Sequence, residues 1–153
     1  MNKFYISMFT FLGIATVSLI SLQLHAEPSK SSPEIEPVDD DMHHFMEYVF
    51  EPSYKRLKMS MAAEPSGKDV WKAIKGDALT LAEVSNLLLH RLPEENVEDW
   101  QKYVVETRKA GGEFYQAARA SDYSQAFEAY RAMLTSCNVC HDQFADGEHQ
   151  LKP

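Results

Sequence analysis

Nowhere in the 153 residues do apolar and polar side chains alternate over the length of a strand, so no sheet is expected and the fold is all-α. Cysteine is nearly absent, with Cys137 and Cys140 the only two. A disulfide between them would close a tiny loop and constrain the unfolded chain very little, so the pair asks for a chemical rather than a structural reason. Basic residues are outnumbered, 15 Lys and Arg against 23 Asp and Glu. An acidic surface repels nucleic acid and anionic lipid, which removes both as expected partners and suits a soluble protein that meets a basic one. No nucleophile stands in a pattern with a general base, so an enzyme is not expected. The chain has no internal repeat and no low-complexity run, and its length suits one domain.

Residues 1–26 contain no acidic residue, a single basic one (Lys3), and an apolar stretch over 9–22 that ends near the small Ala26. This is the pattern of a secretory signal peptide cut after Ala26, and it predicts an exported, periplasmic protein. The rival reading is an uncleaved membrane anchor, because 4–24 is nearly uncharged and close to span length. Setting Lys3 aside leaves 14 Lys and Arg against 23 Asp and Glu, a formal charge of −9 for the mature chain. Residues 27–38, EPSKSSPEIEPV, hold three prolines and three serines, a composition that predicts a flexible leader.

From Asp39 to Gly147 the pattern predicts four helices joined by short turns, an antiparallel up-down bundle. The first opens on Asp39, Asp40 and Asp41 and carries Met42, Phe45, Met46, Val49, Leu57 and Met61 at near-helical spacing. Pro52 lies inside it and is expected to kink or split it. The second runs from Lys68 to Leu92-Pro93, with Trp71, Ile74, Ala78, Leu81, Ser85 and Leu88 inward. The third starts near Glu94 and Glu95 and turns Val97, Trp100, Val104, Thr107, Phe114 and Ala118 inward. Its Gly111-Gly112 pair is either tolerated at about 1 kcal/mol per glycine or admits a close neighbour, a helix or a flat cofactor. The fourth opens at Ser121-Asp122, with Ser124 or Gln125 as a capping partner, and aligns Ala126, Tyr130, Met133, Cys137, Cys140, His141 and Phe144. Gly147 stops it, and residues 148–153 read as a tail.

Cys137-Asn138-Val139-Cys140-His141 is the C-x-x-C-H signature of covalent haem attachment. Residues three and four apart share one helix face. Both thiols can therefore add to the haem vinyl groups, and His141 can reach the iron from the same side. Export agrees with attachment, and the lack of further cysteines removes competing disulfides. A thioredoxin-like site would need a strand before the motif, a zinc site would need another ligand pair, and a plain disulfide would leave His141 unexplained.

A signal peptide, four helices and a C-x-x-C-H near the C-terminus resemble the class II c-type cytochromes, the cytochrome c-prime family and its low-spin relatives. The resemblance implies thioether links through Cys137 and Cys140, proximal ligation by His141, and one haem c among the helices, covered by the first. It also implies a homodimer through the helices. Many members carry a basic residue four positions past the haem histidine. Here that position is Ala145, with Asp142 and Asp146 nearby, so the proximal electrostatics depart from the family's habit.

Function turns on the sixth iron position. In the low-spin relatives a first-helix methionine fills it and the protein transfers electrons to redox partner proteins. In the high-spin members it is open and binds small gases such as NO or CO. Met46 lies on the apolar stripe and is a suitable soft ligand, and His43, three residues earlier, is the alternative. A His–His haem would have the lower potential, since methionine favours the reduced iron. Met42 and Met46 as core filler, and His43 and His44 as solvated partners of the aspartates, are the structural readings. Of the other histidines, His25 falls in the signal, His90 sits where it can serve the end of the second helix, and His149 falls in the tail. Trp71 and Trp100 read as core. The expectation is thus a single-haem electron carrier. Its alternatives are a five-coordinate gas-binding haem protein and a haem-free helical bundle with a redox-active C-x-x-C.

Overall fold

The computed structural model of the chain describes residues 35–153. The expected signal peptide and most of the expected leader lie outside the described residues. Among the described residues every element is helical, in four runs over 42–60, 68–90, 97–120 and 123–144. None of these helices is long and apolar enough to cross a membrane.

The first run has three parts: α1 (Met42–Phe45), a π-helical turn over Met46–Phe50, and α2 (Glu51–Ser60). The Asp41 carboxylate caps its start, accepting the His43 N–H at 2.7 Å and the His44 N–H at 3.2 Å. Pro52 does not break the run. It sits in the first turn of α2, where its missing N–H matters least. The turn before it widens instead, and the Glu51 N–H reaches back five residues to the Met46 carbonyl.

The second run is α3 (Lys68–Val84), tightened into a 3-10 segment over Ser85–His90 that ends short of Leu92-Pro93. All six residues expected on its inner stripe are buried. The third run, α4 (Val97–Ala120), begins after Glu94 and Glu95 rather than at them, because Asn96 takes a left-handed backbone (φ 58°) that sets the entry to the helix. The fourth, α5 (Tyr123–Phe144), is capped reciprocally. Asp122 accepts the Gln125 N–H at 3.0 Å, and the Gln125 side-chain amide donates back to Asp122 at 2.8 Å.

The glycine pair divides in function. A Cβ at Gly111 would lie 3.2 Å from the Cα and Cβ of Ala82, so α3 and α4 meet there almost backbone to backbone, while a Cβ at Gly112 would meet nothing within 4 Å. Gly112→Ala is therefore expected to stabilise the fold by about 1 kcal/mol through helix propensity. Gly111→Ala gains the same propensity but must push α3 away, and no net gain is expected. Urea midpoints of the two variants check this, and an equal rise in both would be inconsistent with the close approach.

Two apolar clusters fill the interior. The larger joins Leu57, Met61, Trp71, Ile74, Ala78, Leu81, Phe114, Tyr130, Met133 and their neighbours from all four runs. Each large side chain buried this way contributes about 1.5–3 kcal/mol. The smaller is built on Phe45, Leu88, Trp100 and Val104, with Met42, Met46, Val49, Phe50, Leu89, Cys140 and Phe144 packed against it. An ion pair ties α2 to α3: Arg56 Nε lies 3.1 Å from both oxygens of buried Asp77, and its Nη2 donates to buried Ser53 at 3.0 Å.

Residues 35–39 are pinned to α1. His44 Nδ1 lies 3.0 Å from Asp39 Oδ2, and Arg91 donates to the Asp39 carbonyl at 2.7 Å. Asp39 is held below its ordinary 3.8, chiefly by the Asp41 N–H and then by His44. His44 is raised above 6.5, chiefly by its bond to Asp39 and then by the Asp41 charge. The contribution of His44 is complete below 6.5 and fades as pH rises through its folded value. That of Asp39 is present above 3.8 and fades as pH falls through its own. The pin is accordingly strongest between those limits. An NMR titration should place the His44 midpoint above 6.5, and Asp39→Asn should lower it.

The last residues do not hang free. Leu151 packs against the larger cluster, and residues 149–152 are hydrogen-bonded to both α5 and α2.

Candidate functional site

α5 carries Cys137, Cys140 and His141 near its C-terminal end, all three half-buried and both cysteines free. The helix stays regular through the motif and stops just beyond it. The N–H groups of Ala145 and Gly147 both bond to the His141 carbonyl, at 3.0 and 3.1 Å, and Gly147 supplies the positive φ (74°) that the stop requires. The i, i+3, i+4 placement on one face is therefore real in this chain.

Cys140 packs against the smaller apolar cluster, and so does Met46 from the first run. The surroundings are aromatic. Trp100 donates its indole N–H to the Leu88 carbonyl at 2.9 Å and meets the Phe144 ring edge-on at 5.0 Å, while Phe45 meets Phe50 edge-on at 5.5 Å. Such a lining suits a large apolar ring. At the Cα level α5 approaches α4 within 8 Å but neither α1, the π turn nor α2. The first and last runs meet through side chains and through the C-terminal segment.

His141 Nδ1 lies 3.0 Å from the His149 carbonyl oxygen. A carbonyl can only accept, so Nδ1 carries the proton, and Nε2, which has no hydrogen-bond partner among the described residues, keeps its lone pair. Burial holds the imidazole below its ordinary 6.5, against the opposing pull of the His149 carbonyl. A neutral imidazole with a free Nε2 is the form a metal needs.

The thiols are poorly placed for redox exchange. Burial pushes Cys137 up to about 12, with Cys140 adding to the effect, and pushes Cys140 up to about 11. A redox-active C-x-x-C needs the opposite, a thiol lowered toward neutrality.

The sixth-position candidates separate. Met46 is half-buried in the smaller cluster, whereas the His43 side chain is 70% exposed, lies 3.6 Å from Glu47 and is outside that cluster. His90 ends the 3-10 segment and His149 lies over the site through its backbone. Among the described residues no three His, Cys, Asp or Glu side chains come together as a metal cage requires. A surface pocket of about 310 Å³ lies elsewhere, between residues 35–39, α1 and the end of the second run, and includes neither cysteine nor His141. The donors rather than that pocket define the site.

Sequence reasoning missed two participants. Asn138, inside the motif, holds Leu151 by two hydrogen bonds. The His149 carbonyl orients His141. Tyr130 is fully buried with its hydroxyl unpartnered among the described residues, and burial, with Tyr54 and Cys137 nearby, pushes its phenol up. Its burial is the one its place on the inward stripe of the fourth helix predicts.

No family model matches the chain, and no curated protein or solved structure matches it either.

Proposed function

We propose that this chain is an exported c-type cytochrome, an antiparallel up-down four-helix bundle with one covalent haem c, acting in electron transfer with protein redox partners. The observation that carries the reading is the apolar cluster shared by Met46 and Cys140, beside a histidine whose Nδ1 is satisfied and whose Nε2 is free. Cys137 and Cys140 would hold the ring by thioethers, His141 would ligate the iron through Nε2, and Met46 would take the sixth position. Bound there, the haem supplies a one-electron Fe(II)/Fe(III) couple. The chain's own part would be to orient His141, to offer the Met46 thioether sulfur as a second ligand, and to keep water from the aromatic lining. The antiparallel arrangement is supported at both ends. Tyr123, at the start of α5, donates to the Met61 carbonyl just past α2, while His149, just past α5, lies 6.4 Å from His43 at the start of α1.

The raised thiols speak against a haem-free redox pair. The test is the absorption spectrum of the purified ferrous protein with and without carbon monoxide, together with a haem stain after denaturing electrophoresis. Sharp low-spin bands indifferent to the gas are expected, with haem that survives denaturation. Cys140→Ser should impair attachment and His141→Ala should change the spectrum. A high-spin spectrum that shifts with carbon monoxide would replace electron transfer with gas binding. No haem, from a host able to attach it, would sink both.

A further inference from the structure

We propose that the C-terminal segment is a strap that tunes the haem site by holding the His149 carbonyl on His141, with Asn138 and Tyr54 as its positioning residues. The inference rests on the cytochrome reading above and adds to it a controlling element outside the motif's own ligands.

The strap leaves α5 after Phe144, where the left-handed backbones of Asp146 (φ 51°) and Gly147 (φ 74°) turn the chain back, and His149 also takes a positive φ (56°). The reversal brings the His149 carbonyl 3.0 Å from His141 Nδ1. Two anchors then fix its course. The first is Asn138, the residue after Cys137. Its carbonyl oxygen accepts the Leu151 N–H at 2.7 Å, and its amide nitrogen donates to the Leu151 carbonyl at 3.0 Å. A primary amide paired in both directions imitates a neighbouring backbone and fixes register as a strand partner would. The second anchor is on α2. The Tyr54 hydroxyl donates to the Lys152 carbonyl at 2.9 Å and stands 3.2 Å from the Lys152 N–H, and Lys58 Nζ donates to the same carbonyl at 3.1 Å. Leu151 between them packs against the larger core. Gln150 adds bonds to Asp142 Oδ1 at 2.9 Å and to the Gly147 carbonyl at 3.3 Å. A segment without secondary structure beyond a helix is ordinarily loose. This one is tied on both sides of the carbonyl it delivers.

The chemical consequence runs through Nδ1. An N–H that donates to a well-placed carbonyl gives the imidazole more anionic character, makes Nε2 a stronger donor and favours the ferric iron. Loosening the strap weakens that bond and should raise the midpoint potential. A purely structural strap would change thermal stability and leave the potential where it was.

The experiment measures the midpoint potential and thermal midpoint of the haem-loaded protein for wild type, Asn138→Ala, Tyr54→Phe, a chain ending at Gly147, and Arg56→Ala. Arg56 holds α2 to α3 away from the strap, so its variant loses stability without touching His141. The expected result is an upward shift of potential in Asn138→Ala and Tyr54→Phe, largest in the shortened chain, and none in Arg56→Ala. If the shortened chain fails to fold, the two point variants carry the test, since both side chains are only half-buried. Haem-loaded Asn138→Ala and Tyr54→Phe proteins with an unchanged or lowered potential would overturn the strap's role and leave the cytochrome reading standing. A wild-type chain without covalent haem would overturn that reading and the strap's role with it.

Discussion

On the proposed cytochrome reading, Met46→Ala is expected to turn a ferrous spectrum indifferent to carbon monoxide into one that shifts on adding the gas, and to lower the midpoint potential. A thioether sulfur at the sixth position would be the soft donor that favours reduced iron, and alanine offers nothing in its place. The structure limits what could substitute. His43 projects to solvent beside Glu47, with a 70% exposed side chain. To serve as a ligand it would have to abandon that pairing and turn in from solvent. Met42 packs against the same cluster one turn earlier. The companion variant His43→Ala should therefore leave the spectrum unchanged. If Met46→Ala still ignores carbon monoxide while His43→Ala responds, the sixth ligand is His43 and the first run has rotated.

Phe114→Ala is expected to lower stability by about 3–5 kcal/mol, among the largest losses for single core truncations. Phe114 is fully buried in α4, its ring 5.4 Å from that of Tyr130 on α5, in the cluster that joins all four runs. Removing it strips apolar area from the interface between α4 and α5 and leaves a space that rigid helix backbones close poorly. Against a total of about 5–15 kcal/mol for a domain of ordinary stability, that is a large share. Guanidinium unfolding followed by circular dichroism should show a much lower midpoint at unchanged slope. A loss under about 1 kcal/mol would mean the cluster is looser than its burial indicates. Because Phe114 belongs to the larger cluster and Cys140 to the smaller, the expected spectrum of any folded variant is that of wild type.

The helical runs were legible in the sequence because their apolar residues recur at helical spacing. The whole stripe from Trp71 to Leu88 is buried as the pattern predicts. Boundaries were legible where a side chain makes the cap, as at Asp122 with Gln125 and at Asp41. They were not where backbone geometry makes it. Asn96 in a left-handed conformation delays α4 past two glutamates that looked like its first turn. Of the candidate site, the motif on α5 is visible as residue types at fixed spacing, and Met46 follows from its stripe. The His149 carbonyl left no trace, because every residue has a carbonyl and only the chain's path decides where it points. Asn138 was unreadable for a related reason. Its partners are the backbone atoms of Leu151, thirteen positions on, and no side-chain pattern links the two. Gly111 and Gly112 look alike in sequence and differ only in what faces them, Ala82 in one case and open space in the other.

The widened turn over Met46–Phe50 makes the first run two helical wheels rather than one. An α-helix advances about 100° per residue, so an extra residue in a single turn rotates everything beyond it by about that angle. Phe45 and Met42 before the turn, and Met46 at its start, belong to the smaller cluster, and Leu57 after it, with Met61, belongs to the larger. One length of chain thus serves two interiors that a straight helix with a single stripe would have had to share. Its sequence can be aligned with an uninterrupted helix only by leaving a one-residue gap beside Pro52. Removing one residue from this turn would keep every other side chain in the run and still swing one half of it out of its core.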